Sequence, residues 1–291
     1  MKALSRIRPA KISALISDVD GTLVTDDKVL TARAQAGVAD LRASRIRFSI
    51  ISSRPPRGLR VLLASLGITA PIGSFNGGVL ANPDLSVISE HLLTSQVARR
   101  VIEFLDGDGV QPWVFARQDW LVRTADGPYI GIEERTIGFP PTIVDDFGPF
   151  LSSAVKIVGV SSEFERLAGC ERNARAVFAG ETTVVRSQPY YLDITHPLAN
   201  KGTAFSEIAK LLAVPTAEIA VIGDGANDIA MFDRCGLSIA MGNGSAEVRR
   251  AADLVTGNNR DDGFANAVER FILGGVHSNQ QVAISGAGGH L

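Results

Sequence analysis

Two rhythms of apolar positions alternate near both ends of the chain. Continuous apolar runs predict buried strands at "KISALIS" (Lys11 to Ser17), "RIRFSIIS" (Arg45 to Ser52), "IAVIGD" (Ile219 to Asp224), "GLSIAM" and "LVT". Between them the spacing becomes helical. Leu30, Ala34, Val38 and Leu41 share one face, and "RGLRVLLASLG" reads as a helix that stops at Gly67. "NDIAMFDRC" and "AEVRRAA" are further helices. Strands that alternate with helices predict an α/β, doubly wound (Rossmann-like) parallel sheet covered on both faces.

The middle of the chain has another pattern. "QPWVFARQDWLVRTADG" predicts an antiparallel hairpin with "RQD" near its turn. "AVKIVGV", "TTVVRS" and "YYLDIT" predict more strands. "SSEFERLAGCERNARAVFAG" predicts a helix with a capping box from Ser162 to Glu165. The expected organisation is a discontinuous core, residues 1–82 and 192–275, with an inserted α+β domain, residues 83–191. Its boundaries fall at the turn formers "NPD" and "SQP". Residues 276–291 are polar and rich in small residues, and are expected to be a flexible tail. The chain has no internal repeat.

Composition narrows the class. Of 291 residues, 45% are apolar, and the mean hydropathy of +0.15 suits a compact globular protein. A formal net charge of -2 provides no global basic field for nucleic acid. No apolar run approaches the roughly 18 residues of a membrane helix. The opening "MKALSRIRPAKIS" is basic without an apolar signal core, so no secretion is expected. Two cysteines, Cys170 and Cys235, are too few for a disulfide scaffold or a zinc cluster. The expected location is the cytoplasm.

The candidate chemistry sits at strand ends. "ISDVDGTLV" (Ile16 to Val24) places Asp18 and Asp20 one residue apart after a buried run. A solvated turn would explain them, but in an open parallel sheet the crevice beyond the carboxyl ends of the strands is the usual ligand site. "GDGANDIAMF" ends a second strand in Asp224 and opens a helix with Asn227 and Asp228. Asp228 alone could be an acid favoured by the helix dipole. Two strands that each end in Asp suggest a shared hard cation, with Mg²⁺ as the best fit. "ISSRP" offers the Ser52 hydroxyl, or is an ordinary turn. "ANKGTAF" puts Lys201 at a helix start, against the dipole, at a cost of roughly 0.3–1 kcal/mol. Either Lys201 is solvated, or it holds a phosphate oxygen together with backbone donors. Together these groups form a kit for phosphoryl transfer, where positioning and charge neutralisation do most of the catalysis.

With these motifs in this order, the sequence resembles the haloacid dehalogenase-like superfamily, in its Cof-type, class IIB sugar-phosphatase-like branch. The resemblance rests on "DVDGTLV", "ISSRP", the Lys of "ANKG" and "GDGANDIAMF". The downstream "AMGNGSAEVRRAADLVTGNNRDDGFANAV" supports it. It covers residues 12–271 and implies an enzyme that hydrolyses phosphoric monoesters. Asp18 would be the nucleophile that forms an aspartyl-phosphate, and Asp20 the acid and then the base. Ser52 and Lys201 would hold the phosphate. Gly21, Ser53, Arg54, Asn76 of "SFNGG" and Asn227 would line the phosphate or substrate. Asp18, the Asp20 carbonyl, Asp224 and Asp228 would serve Mg²⁺. The family's usual Thr-Gly-Arg is here Ser52-Ser53-Arg54, so Ser53 replaces a glycine. A halide leaves without an acid, so the presence of Asp20 favours phosphate esters over dehalogenation.

The insert is expected to be a cap that excludes water and contacts the leaving group. Its polar candidates are Arg117, Arg123, Lys156 and Arg186, all charges that usually sit at the surface. Trp113 and Trp120 read as hairpin packing rather than a sugar platform. His196 reads as a loop residue. The expected substrate is a small phosphorylated metabolite, above all a sugar phosphate. No nucleic-acid or membrane partner is expected, and the chain is expected to be a monomer or homodimer. A phosphomutase with the same nucleophile is the alternative. A non-catalytic phosphate-binding regulator fits less well, because Asp18 and Asp20 are both intact.

Overall fold

A computed structural model describes residue 9 and residues 11–274. The expected tail, residues 276–291, lies outside the described residues. The chain opens with β1 (Ala14–Ser17), α1 (Ala32–Ala43), β2 (Arg47–Ile50) and α2 (Arg60–Leu66). β3 (Ile72–Ser74), β4 (Val79–Ala81), β5 (Val87–Glu90) and α3 (Ser95–Gly107) follow. Next come β6 (Gln111–Ala116), β7 (Asp119–Val122), α4 (Ile130–Ile137), β8 (Thr142–Ile143) and β9 (Ala154–Val160). α5 (Phe164–Val177), β10 (Thr183–Gln188), β11 (Tyr191–Thr195) and α6 (Lys201–Leu211) lead into the last stretch. That stretch holds β12 (Ile219–Gly223), α7 (Ile229–Phe232), β13 (Leu237–Ala240), α8 (Ala246–Ala251), β14 (Leu254–Val255) and α9 (Gly263–Ala267).

Two compact units result, one from residues 1–50 and 209–291, the other from residues 51–208. The first holds a five-stranded sheet in the order β14-β13-β12-β1-β2. Every pairing in it is parallel. All residues of β1, β12 and β13 are buried, as expected for strands covered on both faces. This is the doubly wound α/β core expected from the apolar runs. Helix α1 starts later than its apolar stripe, because Thr31 caps it by accepting from the Ala34 N–H at 3.1 Å.

The second unit holds two sheets whose pairings are antiparallel, except that β8 joins β7 in parallel. One is a small sheet, β3-β4-β5, which the sequence pattern did not resolve because its strands have only three or four residues. The other has the order β10-β11-β9-β6-β7-β8. Its β6–β7 hairpin turns at Arg117. One face, with Val114, Leu121, Ile157, Leu192 and Ile194, packs on Val101 and Leu105 of α3 and Leu167 and Ala174 of α5. Period-two alternation puts Trp113, Phe115, Trp120, Lys156 and Tyr191 on the other face. Helix α3 also escaped the sequence reading, although Val97, Val101 and Leu105 recur at helical spacing. The turn former "NPD" lies in the β4–β5 connection, and "SQP" spans the end of β10 and the start of the turn into β11.

The expected capping box is not formed. Helix α5 starts at Phe164 with Glu163 as its N-cap, and no side chain caps it. Ser162 therefore stands one position outside the cap. The local turn is made by Ser161, whose Oγ accepts from the Glu163 N–H at 3.1 Å. Glu163 itself pairs with Arg166 at 3.0 Å.

Candidate active site

β1 and β12 are neighbours in parallel register, with Ser17 opposite Ile222. Their carboxyl ends therefore lie side by side, and each runs into an aspartate. Asp18, 6% exposed, stays in the ladder by donating its N–H to the Ile222 carbonyl at 2.9 Å. Asp224 follows β12. Its Oδ1 accepts from the Thr22 hydroxyl at 3.0 Å and its Oδ2 from the Asn243 amide at 3.2 Å. Asp228 is fully buried. Its Oδ2 accepts from the backbone N–H groups of Asp224 at 3.0 Å and Gly225 at 2.8 Å. Carboxylate oxygens of Asp18, Asp224 and Asp228 all lie within 4.8 Å of one another. Three oxygens of like charge that close fit a hard divalent cation.

The chain folds back here because Gly21 has φ +80°. A Cβ at this residue would stand 2.3 Å from Asp224 Oδ2. Any other residue would push the acidic cluster apart. The Asp20 carboxylate is not one of the three that converge. It pairs with the Lys28 ammonium at 2.7 Å. Asn227, in the turn before α7, is exposed.

The remaining expected residues belong to the second unit. Ser52 is fully buried just past β2. Its N–H donates to the Gly73 carbonyl at 3.0 Å, and its Oγ accepts from the Arg54 N–H at 3.2 Å. Arg54 is buried, at 8% exposure, while Ser53 is exposed. Ser53 does not take left-handed backbone, so replacing the family's glycine creates no strain there. Asn76 donates its N–H to the Ser52 carbonyl at 2.8 Å. Lys201 opens α6 at 2% exposure, which removes the solvated reading. Asn200 caps that helix by accepting from the Thr203 N–H at 2.9 Å.

Three of the polar candidates in and around the six-stranded sheet behave as ordinary charges. Arg117 is exposed in the hairpin turn. Arg123 forks onto Asp106 at 2.7 and 2.9 Å. Arg186 pairs with Glu171 at 3.2 Å. Lys156 departs from the surface reading. It is 5% exposed and paired with Asp193 at 3.1 Å. The rings of Phe115 and Tyr191 lie 4.7 and 5.2 Å from its ammonium. Trp113 and Trp120 are fully buried and meet edge to face at 5.0 Å, as hairpin packing. His196 stacks on His91 at 5.4 Å.

Sequence reasoning assigned no role to Thr22, Lys28 or Asn243. Asn243 also donates to the Gly21 carbonyl at 2.9 Å and accepts from the Asn259 N–H at 3.0 Å. Its only signal was its place in the downstream "AMGNGSAEV". Among the described residues, no helix is long and apolar enough to cross a membrane.

The family model described as haloacid dehalogenase-like hydrolase matches residues 15–268. The chain belongs to this family. A haloacid dehalogenase-like hydrolase from Bacteroides thetaiotaomicron superposes with a TM-score of 0.83 at 26% identity, covering 89% of this chain and 99% of that one. A Haemophilus influenzae protein named provisionally as a phosphatase is 26% identical over 261 residues, 88% of this chain and 97% of its own length. The Bacillus subtilis 5-amino-6-(5-phospho-D-ribitylamino)uracil phosphatase YitU is 25% identical over 264 residues, 87% of this chain and 95% of its own. This haloacid dehalogenase-like hydrolase is a phosphatase, of the Cof type that its motif order implied.

Proposed function

We propose that this phosphatase is Mg²⁺-dependent and hydrolyses a small phosphorylated metabolite, preferably a sugar phosphate, through an aspartyl-phosphate on Asp18. The observation that carries the proposal is the convergence of Asp18, Asp224 and Asp228 at the ends of two adjacent parallel strands. When bound, Mg²⁺ offsets the repulsion between the Asp18 carboxylate and a phosphate dianion. Asp18, Asp224, Asp228 and the Asp20 carbonyl are the groups proposed to hold it.

Asp18 attacks phosphorus, so a phosphorus–oxygen bond to Asp18 forms and the bond to the ester oxygen breaks. Asp20 gives its proton to the departing alcohol. It then takes a proton from water, which displaces Asp18 and releases inorganic phosphate. Lys28, at 2.7 Å, orients the Asp20 carboxyl. Ser52 and Lys201 bind phosphoryl oxygens, with Gly21, Ser53, Arg54, Asn76 and Asn227 lining phosphate or substrate. Residues 83–191 serve as the cap that selects the leaving group. YitU is named for a phosphorylated polyol side chain, which supports a sugar-like substrate. Both cysteines are free and buried, in keeping with a reducing cytoplasm.

Purified protein should release phosphate from a generic aryl phosphate with Mg²⁺ and stop when the metal is chelated. Asp18→Asn should lower that rate by roughly a thousandfold or more while the melting temperature holds. Metal-independent turnover, or wild-type turnover by the variant, would refute the mechanism.

A further inference from the structure

Three consecutive residues, Phe75, Asn76 and Gly77, have φ of +50°, +57° and +99°. Left-handed backbone is unfavourable for any residue with a Cβ, and two of these three have one. Such a run persists only where its surroundings over-determine it. Here they do. The Phe75 N–H donates to the Arg54 carbonyl at 3.0 Å, and the Asn76 N–H to the Ser52 carbonyl at 2.8 Å. On the other side Gly77 presses on the start of α6. A Cβ on Gly77 would lie 2.8 Å from the Asn200 carbonyl oxygen and 2.7 Å from the Ala204 Cβ. One turn thus touches both the segment that carries Ser52 and the helix start that carries Lys201.

The Phe75 ring anchors this turn. It is fully buried and meets Phe115 edge on at 5.6 Å. The Lys156 ammonium stands 5.8 Å from its centroid and is held by Asp193 at 3.1 Å. Phe75, Phe115, Lys156 and Asp193 have no part in the proposed chemistry.

We propose that Phe75 is a positioning residue. Its ring, wedged against Phe115 and the Lys156–Asp193 pair, holds the left-handed turn that sets the spacing of Ser52 and Lys201. The inference rests on the reading of those two residues as phosphate ligands. A ligand displaced by about an ångström costs roughly a hundredfold in rate, so a turn that sets their spacing governs activity.

Inorganic phosphate serves as the probe. Its affinity is measured by calorimetry with Mg²⁺ present, beside KM and kcat for an aryl phosphate and the melting temperature. Phe75→Leu should weaken phosphate binding and raise KM by about tenfold or more. Phe178→Leu is the control. Phe178 is another buried ring, paired edge on with Phe104 at 5.5 Å, away from the turn. That control should lower the melting temperature comparably and leave phosphate affinity unchanged. If Phe75→Leu does not fold, Phe115→Leu removes the supporting ring and should shift phosphate affinity in the same direction. Phosphate affinity at the wild-type value in folded Phe75→Leu overturns the inference and leaves the proposed function standing. A wild-type protein that hydrolyses the ester yet binds no phosphate overturns the inference through its premise. A wild type that neither binds phosphate nor hydrolyses esters overturns the proposed function and the inference with it.

Discussion

Asp224 receives hydrogen bonds on both carboxylate oxygens, from Thr22 and from Asn243. Those bonds fix its orientation, and Asp228 fixes the backbone beneath it. Gly21 leaves room for the Asp224 carboxylate, so glycine at this position is a packing requirement of the cluster. A different residue-scale effect concerns His196. Burial, and then the neighbouring His91, push its pKa below the ordinary 6.5. The unfolded chain therefore binds a proton more readily than the folded one. The resulting stability is present above the unfolded value of 6.5 and is lost as pH falls below it. Melting temperature should drop between about pH 7 and about pH 5. His196→Asn, which keeps an acceptor for the Leu198 N–H, should flatten that drop. Equal slopes for both proteins would show that His196 is not the group responsible.

At the scale of elements, capping decides where helices begin. Thr31 accepts from the Ala34 N–H and donates to Asp262 at 2.7 Å, so it serves α1 and also ties it to the loop before α9. Thr31→Ala should cost about 1 kcal/mol, or roughly 2–4 °C of melting temperature, read by thermal unfolding. An unchanged melting temperature would mean that water replaces both bonds at no cost. The cap expected at Ser162 failed for a comparable local reason. The helix started one residue later, which moved Ser162 out of reach of the first-turn donors. Apolar runs located β1, β9, β12 and β13 well, because strands buried on both faces have little polar content. The strands β3 to β5 are too short to show a period.

For the whole molecule, the proposed hydrolysis sends the phosphoryl group to water, whereas a phosphomutase would return it to the bound substrate. A hexose phosphate incubated with enzyme and Mg²⁺ should yield free phosphate. Accumulation of an isomeric hexose phosphate instead would identify a phosphomutase. The alternation of apolar runs with helical stripes was enough to determine a doubly wound parallel core. It also determined that Asp18 and Asp224 end buried strands, because burial and period are local properties of the chain. Strand order is not local. Only the tertiary structure placed β1 beside β12, brought Asn243 onto Asp224, buried Lys156 among aromatic rings and held Phe75 in left-handed backbone. Each of those facts joins residues far apart in sequence or depends on what surrounds a turn. A local pattern of polar and apolar positions carries no information about which distant segment will lie alongside.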